Sequence, residues 1–227
     1  MENFVDSLNH WQQIGIVAIW MALVFAVAAI ARYFRSNSEL VRKIVHIGTG
    51  NVILLAWGLK LPLWICLSIS IAVILVAGLS YFLPVLPILE SVGRKTHGVF
   101  YYAVSIGLLV AIFWGVDLPQ FAVIGILVMT WGDGLAALVG KSFGKRVYRF
   151  NGNKRTLEGS AAMLVVSYGI ALLVLSLAQG GSGLNIWLIP VPIAFVATVL
   201  EAISPGGTDN LTVPISSAFL CYGLSLL

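Results

Sequence analysis

Charge is scarce in this chain: 10% of its 227 residues are Asp, Glu, Lys or Arg, against 59% hydrophobic and a mean hydropathy of +1.00. Too little polar surface remains to cover a water-soluble domain, so that class is excluded. Cysteine is rarer still, with only Cys66 and Cys221, both inside apolar runs and without metal-ligand spacing. A disulfide or zinc scaffold is therefore excluded, and both thiols read as packing residues. Acidic residues number 9 against 13 basic ones. No basic stripe is interleaved with aromatics, so nothing marks a nucleic-acid surface. The first apolar run follows an acidic stretch, Glu2 and Asp6, and reads as an uncleaved anchor rather than a secretory leader.

Long apolar runs are what the chain has in abundance. Windows near 20 residues fall at 12–31, 44–59, 62–83, 98–115, 119–140, 158–178, 186–204 and 211–227. They predict an all-α, polytopic membrane helix bundle of about eight transmembrane helices, forming a single catalytic domain over residues 1–227. The second and last windows are interrupted, by Gly48, Gly50 and Asn51 and by Pro214, so seven spans plus one re-entrant element is the alternative count. Of the 13 basic residues, 12 fall in odd-numbered loops: Arg32, Arg35, Arg42, Lys43, Arg94, Lys95, Lys141, Lys145, Arg146, Arg149, Lys154 and Arg155. Only Lys60 lies opposite. Because Lys and Arg near span ends are retained in the cytoplasm, the N-terminus is expected outside and the odd loops inside. A prokaryotic plasma membrane or a thylakoid-type membrane is the expected setting.

Carboxylates at membrane depth cost about 2.5–3.5 kcal/mol each on insertion scales, which makes acids at span ends informative. Glu39, Asp133, Glu158, Glu201 and Asp209 all fall on the face rich in cations. The densest segment is TWGDGLAALVGKSFGKRVYRFNGNKRTLEG, from Thr130 to Gly159. Within it Gly132, Ala136 and Gly140 recur every four residues, a smooth strip that lets a neighbouring helix approach closely. Asp133 adjoins the strip and is therefore expected to face a crowded interior or a cavity mouth, where a carboxylate persists if a cation or an Arg or Lys neutralises it. The GKS at Gly140 is not a phosphate-binding P-loop, because the opening glycine would be Leu135. The six cations Lys141, Lys145, Arg146, Arg149, Lys154 and Arg155 exceed what orientation requires. With Asp133 and Glu158 bracketing them, they suit Mg²⁺ held against a triphosphate. In the seventh loop, Gly206 and Gly207 permit a tight turn of exposed amides, and Asp209 and Asn210 offer oxygen ligands. Glu39, Arg42, Lys43 and His46 share one helix face, a basic helix end with a histidine one turn deeper.

The segments ELVRKIVHIGTGN, GDGLAALVGKSFGK, KRTLEG and EAISPGGTDNLTVP resemble, in order, the motifs of the membrane polyprenol kinase family, with phytol, dolichol and CTP-dependent diacylglycerol kinases. The resemblance runs from Glu39 to Pro214. The compact length is most similar to the phytol kinase branch. It implies a CTP-type phosphoryl donor, Mg²⁺ and a lipid alcohol such as phytol, farnesol or geranylgeraniol. It implies acidic roles for Asp133, Glu158, Glu201 and Asp209, and phosphate contacts for Arg42, Lys43, Lys145 and Lys154.

The expected assignment is Asp133, Glu158 and Asp209 on metal. Arg42, Lys43, Lys141, Lys145, Lys154, Arg155, Gly206, Gly207 and Asn210 are expected on nucleotide phosphates. Glu201, Asp209 and His46 remain open as general base. The expected partners are nucleotide, lipid alcohol and membrane lipids, with no nucleic acid.

Phosphatidate cytidylyltransferases share the GD, FGK and KxxEG run and are the first alternative. Their ending, GHGG and DRxDS, is missing here, where GGTDNLTVP stands. A small secondary transporter is the second alternative, but it would spread polar residues through the spans and onto both faces.

Overall fold

The computed structural model describes residue 5 and residues 7–34, 36–80, 97–150, 153–179 and 185–227. Glu2 and Asp6, used above for the anchor, and Arg35, Arg94 and Lys95, used for orientation, lie outside the described residues. The expected bundle is what forms. α1 (His10–Tyr33) starts at a capping box in which Asn9 and Gln12 exchange side-chain and backbone bonds. α2 (Ser38–Gly50) starts at Asn37, whose side chain accepts from the Glu39 amide at 3.0 Å. It is followed by α3 (Val52–Gly58), α4 (Leu63–Leu79) and α5 (Gly98–Trp114). α6 (Pro119–Leu127) opens with proline, whose absent N–H is no loss in a first turn. A π-helical segment (Val128–Asp133) joins it to α7 (Gly134–Phe143). After strands β1 (Val147–Phe150) and β2 (Asn153–Thr156) come α8 (Leu157–Gln179), α9 (Asn185–Leu188), α10 (Pro190–Ile203) and α11 (Asp209–Ser225).

Each of the predicted windows holds a helix. Among the described residues, five are long and apolar enough to cross a membrane: His10–Tyr33, Ser38–Gly58, Pro119–Phe143, Leu157–Ala178 and Asn185–Ile203. α4 and α5 are apolar but 17 residues long, and α11, also of 17 residues, contains Pro214. The interruption expected at Gly48–Asn51 narrows to Asn51, whose φ of −67° and ψ of −11° let the rod run on to Gly58. Two indoles hold it: Trp20 Nε1 donates to the Gly48 carbonyl and Trp131 Nε1 to Asn51 Oδ1, each at 2.8 Å.

The rod Pro119–Phe143 is the centre of the bundle. Val123, Ile124, Ile126, Val128 and Met129 are fully buried, as an all-round apolar helix requires. α5, α8 and α11 pack against it. Gly125 is needed where the Pro214 backbone and Ala218 press on α6, because a side chain there would collide with both. The predicted smooth strip also holds. Gly132 faces Met163, while a Cβ on Gly140 would stand 2.8 Å from Thr156 Oγ1 and 3.5 Å from Gly159 Cα. These contacts bring the start of α8 onto α7, beside Asp133.

The sequence predicts no strand in the cation-rich segment, and the structure forms the hairpin β1–β2 there. It pairs antiparallel in the register Val147↔Thr156, Tyr148↔Arg155, Arg149↔Lys154 and Phe150↔Asn153. Alternation then sends Tyr148 and Arg155 to one face, and Arg149 and Lys154 to the other. Tyr148 is pinned by a 2.6 Å hydrogen bond with Ser160, and Asn153 Nδ2 donates to the Ser204 carbonyl at 2.9 Å. The hairpin is thereby tied to the end of α10 and shares one end of the bundle with the 204–208 turn. In that turn Gly206 and Gly207 adopt φ of 60° and 90°, which side chains with a Cβ rarely tolerate.

Candidate active site

Two helix ends and the middle of the central rod bring three buried carboxylates together. Asp133 ends the π segment, Glu201 lies in the last turn of α10 and Asp209 is the first residue of α11. One oxygen from each lies within 4.8 Å of the others. Such a group does not persist unneutralised in an apolar bundle, and two cations enter it. Lys43, 1% exposed, is ion-paired with the Asp133 carboxylate and donates to the Asp133 carbonyl at 3.2 Å. Arg155 reaches in from β2. Its Nε stands 2.9 Å from Glu201 Oε1, its Nη2 stands 3.5 Å from Asp209 Oδ2, and Nη2 donates to the Glu201 carbonyl at 3.2 Å.

Several buried polar atoms of these residues lack a hydrogen-bond partner, the donor Arg155 Nε among them. Glu201 Oε2, Asn210 Oδ1 and His46 Nε2 are buried without a hydrogen-bond partner, although buried polar atoms are ordinarily paired. The Asn210 amide N–H donates to Asp209 Oδ1 at 3.1 Å, which fixes that carboxylate. His46 Nε2 stands 3.7 Å from Asp133 Oδ2, too far for a hydrogen bond. Three carboxylates against Lys43 and Arg155 leave an excess of negative charge, and unpaired oxygens lie beside it. Hard oxygen donors in that arrangement fit a divalent cation such as Mg²⁺.

The structure thus joins Asp133, Glu201, Asp209, Asn210, Lys43, Arg155 and His46, and leaves other expected residues apart. Glu158 is not in the carboxylate group; it sits at the start of α8 and its carboxylate accepts from the Arg146 amide at 3.3 Å. With Ser142, Phe143, Gly144 and Lys145 it lines an open cleft of about 460 Å³. Lys43 and Arg155, expected on phosphates, are counter-ions of the buried acids. Arg42 pairs with Glu39 one turn away and remains exposed. Lys141, Lys145 and Lys154 are exposed around the hairpin, as are Arg146 and Arg149. Gly206 and Gly207 form the turn immediately before Asp209.

Sequence reading missed the polar layer beneath the acids. Tyr102 OH hydrogen-bonds Thr130 Oγ1 at 2.8 Å, and its ring lies 4.6 Å from the His46 ring. Thr130 in turn donates to the Ile126 carbonyl at 2.6 Å. A side chain on Gly50 would collide with both Thr130 and Tyr102. Neutral hydroxyls on two separate spans carry no linear signature.

The chain is 42% identical over 227 residues to the phytol kinase of Synechocystis sp., an alignment covering 100% of this chain and 97% of that protein. It is 28% identical over 240 residues to a probable chloroplastic phytol kinase 1 of Glycine max, covering 94% and 76% of the two chains. A chloroplastic farnesol kinase of Arabidopsis thaliana is 28% identical over 201 residues, covering 80% and 64%. No protein-family model matches the chain, and no solved structure matches it. Identity of this extent along the whole chain, with the ordered motifs converging on one buried acidic centre, makes the chain a member of the polyprenol kinase family, in its phytol kinase branch.

Proposed function

We propose that this protein transfers the γ-phosphoryl group of CTP, or a related nucleoside triphosphate, to the hydroxyl of a long-chain isoprenoid alcohol such as phytol, farnesol or geranylgeraniol. The observation that carries the reading is the buried carboxylate group, with oxygens within 4.8 Å, held in an apolar bundle beneath a basic hairpin. The 42% identity to a phytol kinase supports the acceptor class. Asp133, Glu201 and Asp209 would hold Mg²⁺, with Glu201 Oε2 a buried oxygen that has no other hydrogen-bond partner. Bound there, the ion supplies positive charge against the donor phosphates.

The remaining work falls to side chains of this chain. Lys43 and Arg155 hold the carboxylates in place, and the exposed Lys145, Arg146, Arg149 and Lys154 collect phosphates arriving from water. Arg149 and Lys154 are direct cross-strand neighbours, an arrangement that like charges disfavour and an anion between them relieves. In the transfer, the alcohol oxygen bonds to the γ-phosphorus while the bond from that phosphorus to the β,γ-bridging oxygen breaks. CDP leaves, and the hydroxyl proton passes to an acceptor of the cluster, for which His46, Glu201 and Asp209 all qualify.

With Mg²⁺, γ-labelled CTP and phytol, the purified protein in detergent is expected to put label into a lipid monophosphate, and with α-labelled CTP to put none there. Transfer of α-label to phosphatidic acid with release of pyrophosphate would instead make the protein a CDP-lipid-forming cytidylyltransferase.

The reading puts the site at the cytoplasmic boundary, with the N-terminus outside and all 227 residues in one catalytic domain. Support comes from the basic hairpin and the 204–208 turn lying at one end of the bundle, tied by Asn153 to Ser204. Single cysteines introduced at Arg149 and Gly206 are expected to react with an impermeant maleimide only from the cytoplasm, and one at Asp117 only from outside. Labelling of the first two from opposite faces would dismantle the site.

A further inference from the structure

One side chain on the inner face of the hairpin is left without a task. Alternation puts Tyr148, Phe150, Asn153 and Arg155 on that face. Tyr148 bonds Ser160, Asn153 bonds the Ser204 carbonyl and Arg155 enters the carboxylate group, and all three are partly buried. Phe150, at the tip, is 48% exposed and belongs to no apolar cluster among the described residues. One exposed ring is ordinary in itself, and its place is what matters. The hairpin lies between the apolar rods Pro119–Phe143 and Leu157–Ala178 and in neither, so this ring is not one of the lipid-facing side chains of a span.

Phe150 faces Asn153 across the ladder, roughly 5 Å away between Cα atoms, and Asn153 stands two residues, roughly 7 Å, from Arg155. From there the Arg155 side chain extends to Glu201 and Asp209. The exposed ring and the buried carboxylates are therefore the two ends of one short line. Asn153 fastens that line to the 204–208 turn, in which Gly206 looks into open space: a Cβ on it would meet nothing within 4 Å. A nucleotide that lays its phosphates toward the carboxylates has its ribose and base to place at the other end.

We propose that Phe150 is the platform on which the base of the donor nucleotide stacks, at the hairpin tip beside the 204–208 turn. The proposal rests on the kinase reading for the presence of a nucleotide, and it adds a base subsite to the phosphate and metal groups of that reading. Every base has a π face, so stacking supplies affinity and aim without choosing strongly among bases. Loss of the ring is accordingly expected to weaken CTP and UTP by similar factors.

Two measurements test it. In the first, phosphorylation of phytol is followed across CTP concentrations, with inorganic tripolyphosphate as a competing ligand that has no base. Phe150→Ala is expected to raise KM for CTP about tenfold while inhibition by tripolyphosphate stays within about twofold of wild type, and Phe150→Trp to restore KM. Equal weakening of CTP and tripolyphosphate would make Phe150 a residue that shapes the hairpin, and would overturn the platform. The second measurement needs no turnover. The indole added by Phe150→Trp is read as the fluorescence difference from wild type, which has seven tryptophans of its own. CTP and CDP are expected to quench it and tripolyphosphate is not. An indole that ignores CTP, while equilibrium dialysis shows labelled CTP bound to the same variant, would also overturn the platform. An unchanged KM in Phe150→Ala, with wild-type protein phosphorylating phytol, would remove the platform and leave the kinase reading intact. Wild-type protein that binds no nucleotide at all would end both.

Discussion

Asp209→Asn is expected to lower alcohol phosphorylation on the order of 10³-fold while leaving the bundle folded. Asp209 is 7% exposed and contributes one of the three carboxylates whose oxygens lie within 4.8 Å. An amide keeps its shape and removes the charge that a divalent cation needs. Arg155 is not stranded by the change, since it keeps Glu201 at 2.9 Å. The measurement is the initial rate across Mg²⁺ concentrations, with gel filtration and thermal unfolding in detergent as controls for folding. Activity within a few-fold of wild type at every Mg²⁺ concentration would take Asp209 out of the metal site. Asp133→Asn is expected to be as inactive but less clean, because Lys43 would then be buried beside a neutral amide.

Lys43→Met should cost stability rather than chemistry alone. At 1% exposure its ammonium is the cation paired with Asp133, and its removal strands a carboxylate in an apolar bundle. Breaking a buried pair on one side costs about 3–5 kcal/mol, whereas removing the charge from both sides costs far less. Unfolding of the single variant in detergent with a chelator present should therefore begin well below the wild-type temperature. Lys43→Met with Asp133→Asn should regain most of the difference. A single variant as stable as wild type would mean that some other group neutralises Asp133. The chelator matters, because a bound divalent cation would itself offset the stranded charge.

How much of this was legible in advance depended on whether the signal was local. The spans were, since apolar composition over about 20 residues is a property of a contiguous window. The Gly132, Ala136 and Gly140 strip was legible for the same reason, because helical period alone puts those positions on one face. The hairpin was missed although Asn151–Gly152 between two β-prone runs is a strong turn signal in the sequence. Cation density drew the reading there toward a phosphate loop. The cost of that miss was Arg155: strand alternation sends it inward with Tyr148, away from Arg149 and Lys154.

The sequence by itself determined the class of the protein. An all-helical membrane bundle, its central apolar rod, the acids and cations at span ends and the family motifs are written in composition, periodicity and order along the chain. Which acids lie together was decided by the tertiary structure. Glu158 follows the cations closely in sequence but sits apart, whereas Glu201 joins Asp133 and Asp209. Lys43 meets Asp133 across 90 residues, and Arg155 meets the Glu201 backbone across 46. A buried charge is tolerated only where a partner reaches it, and which partner reaches it depends on how helices cross. That information belongs to the packed bundle and to no single segment of the chain.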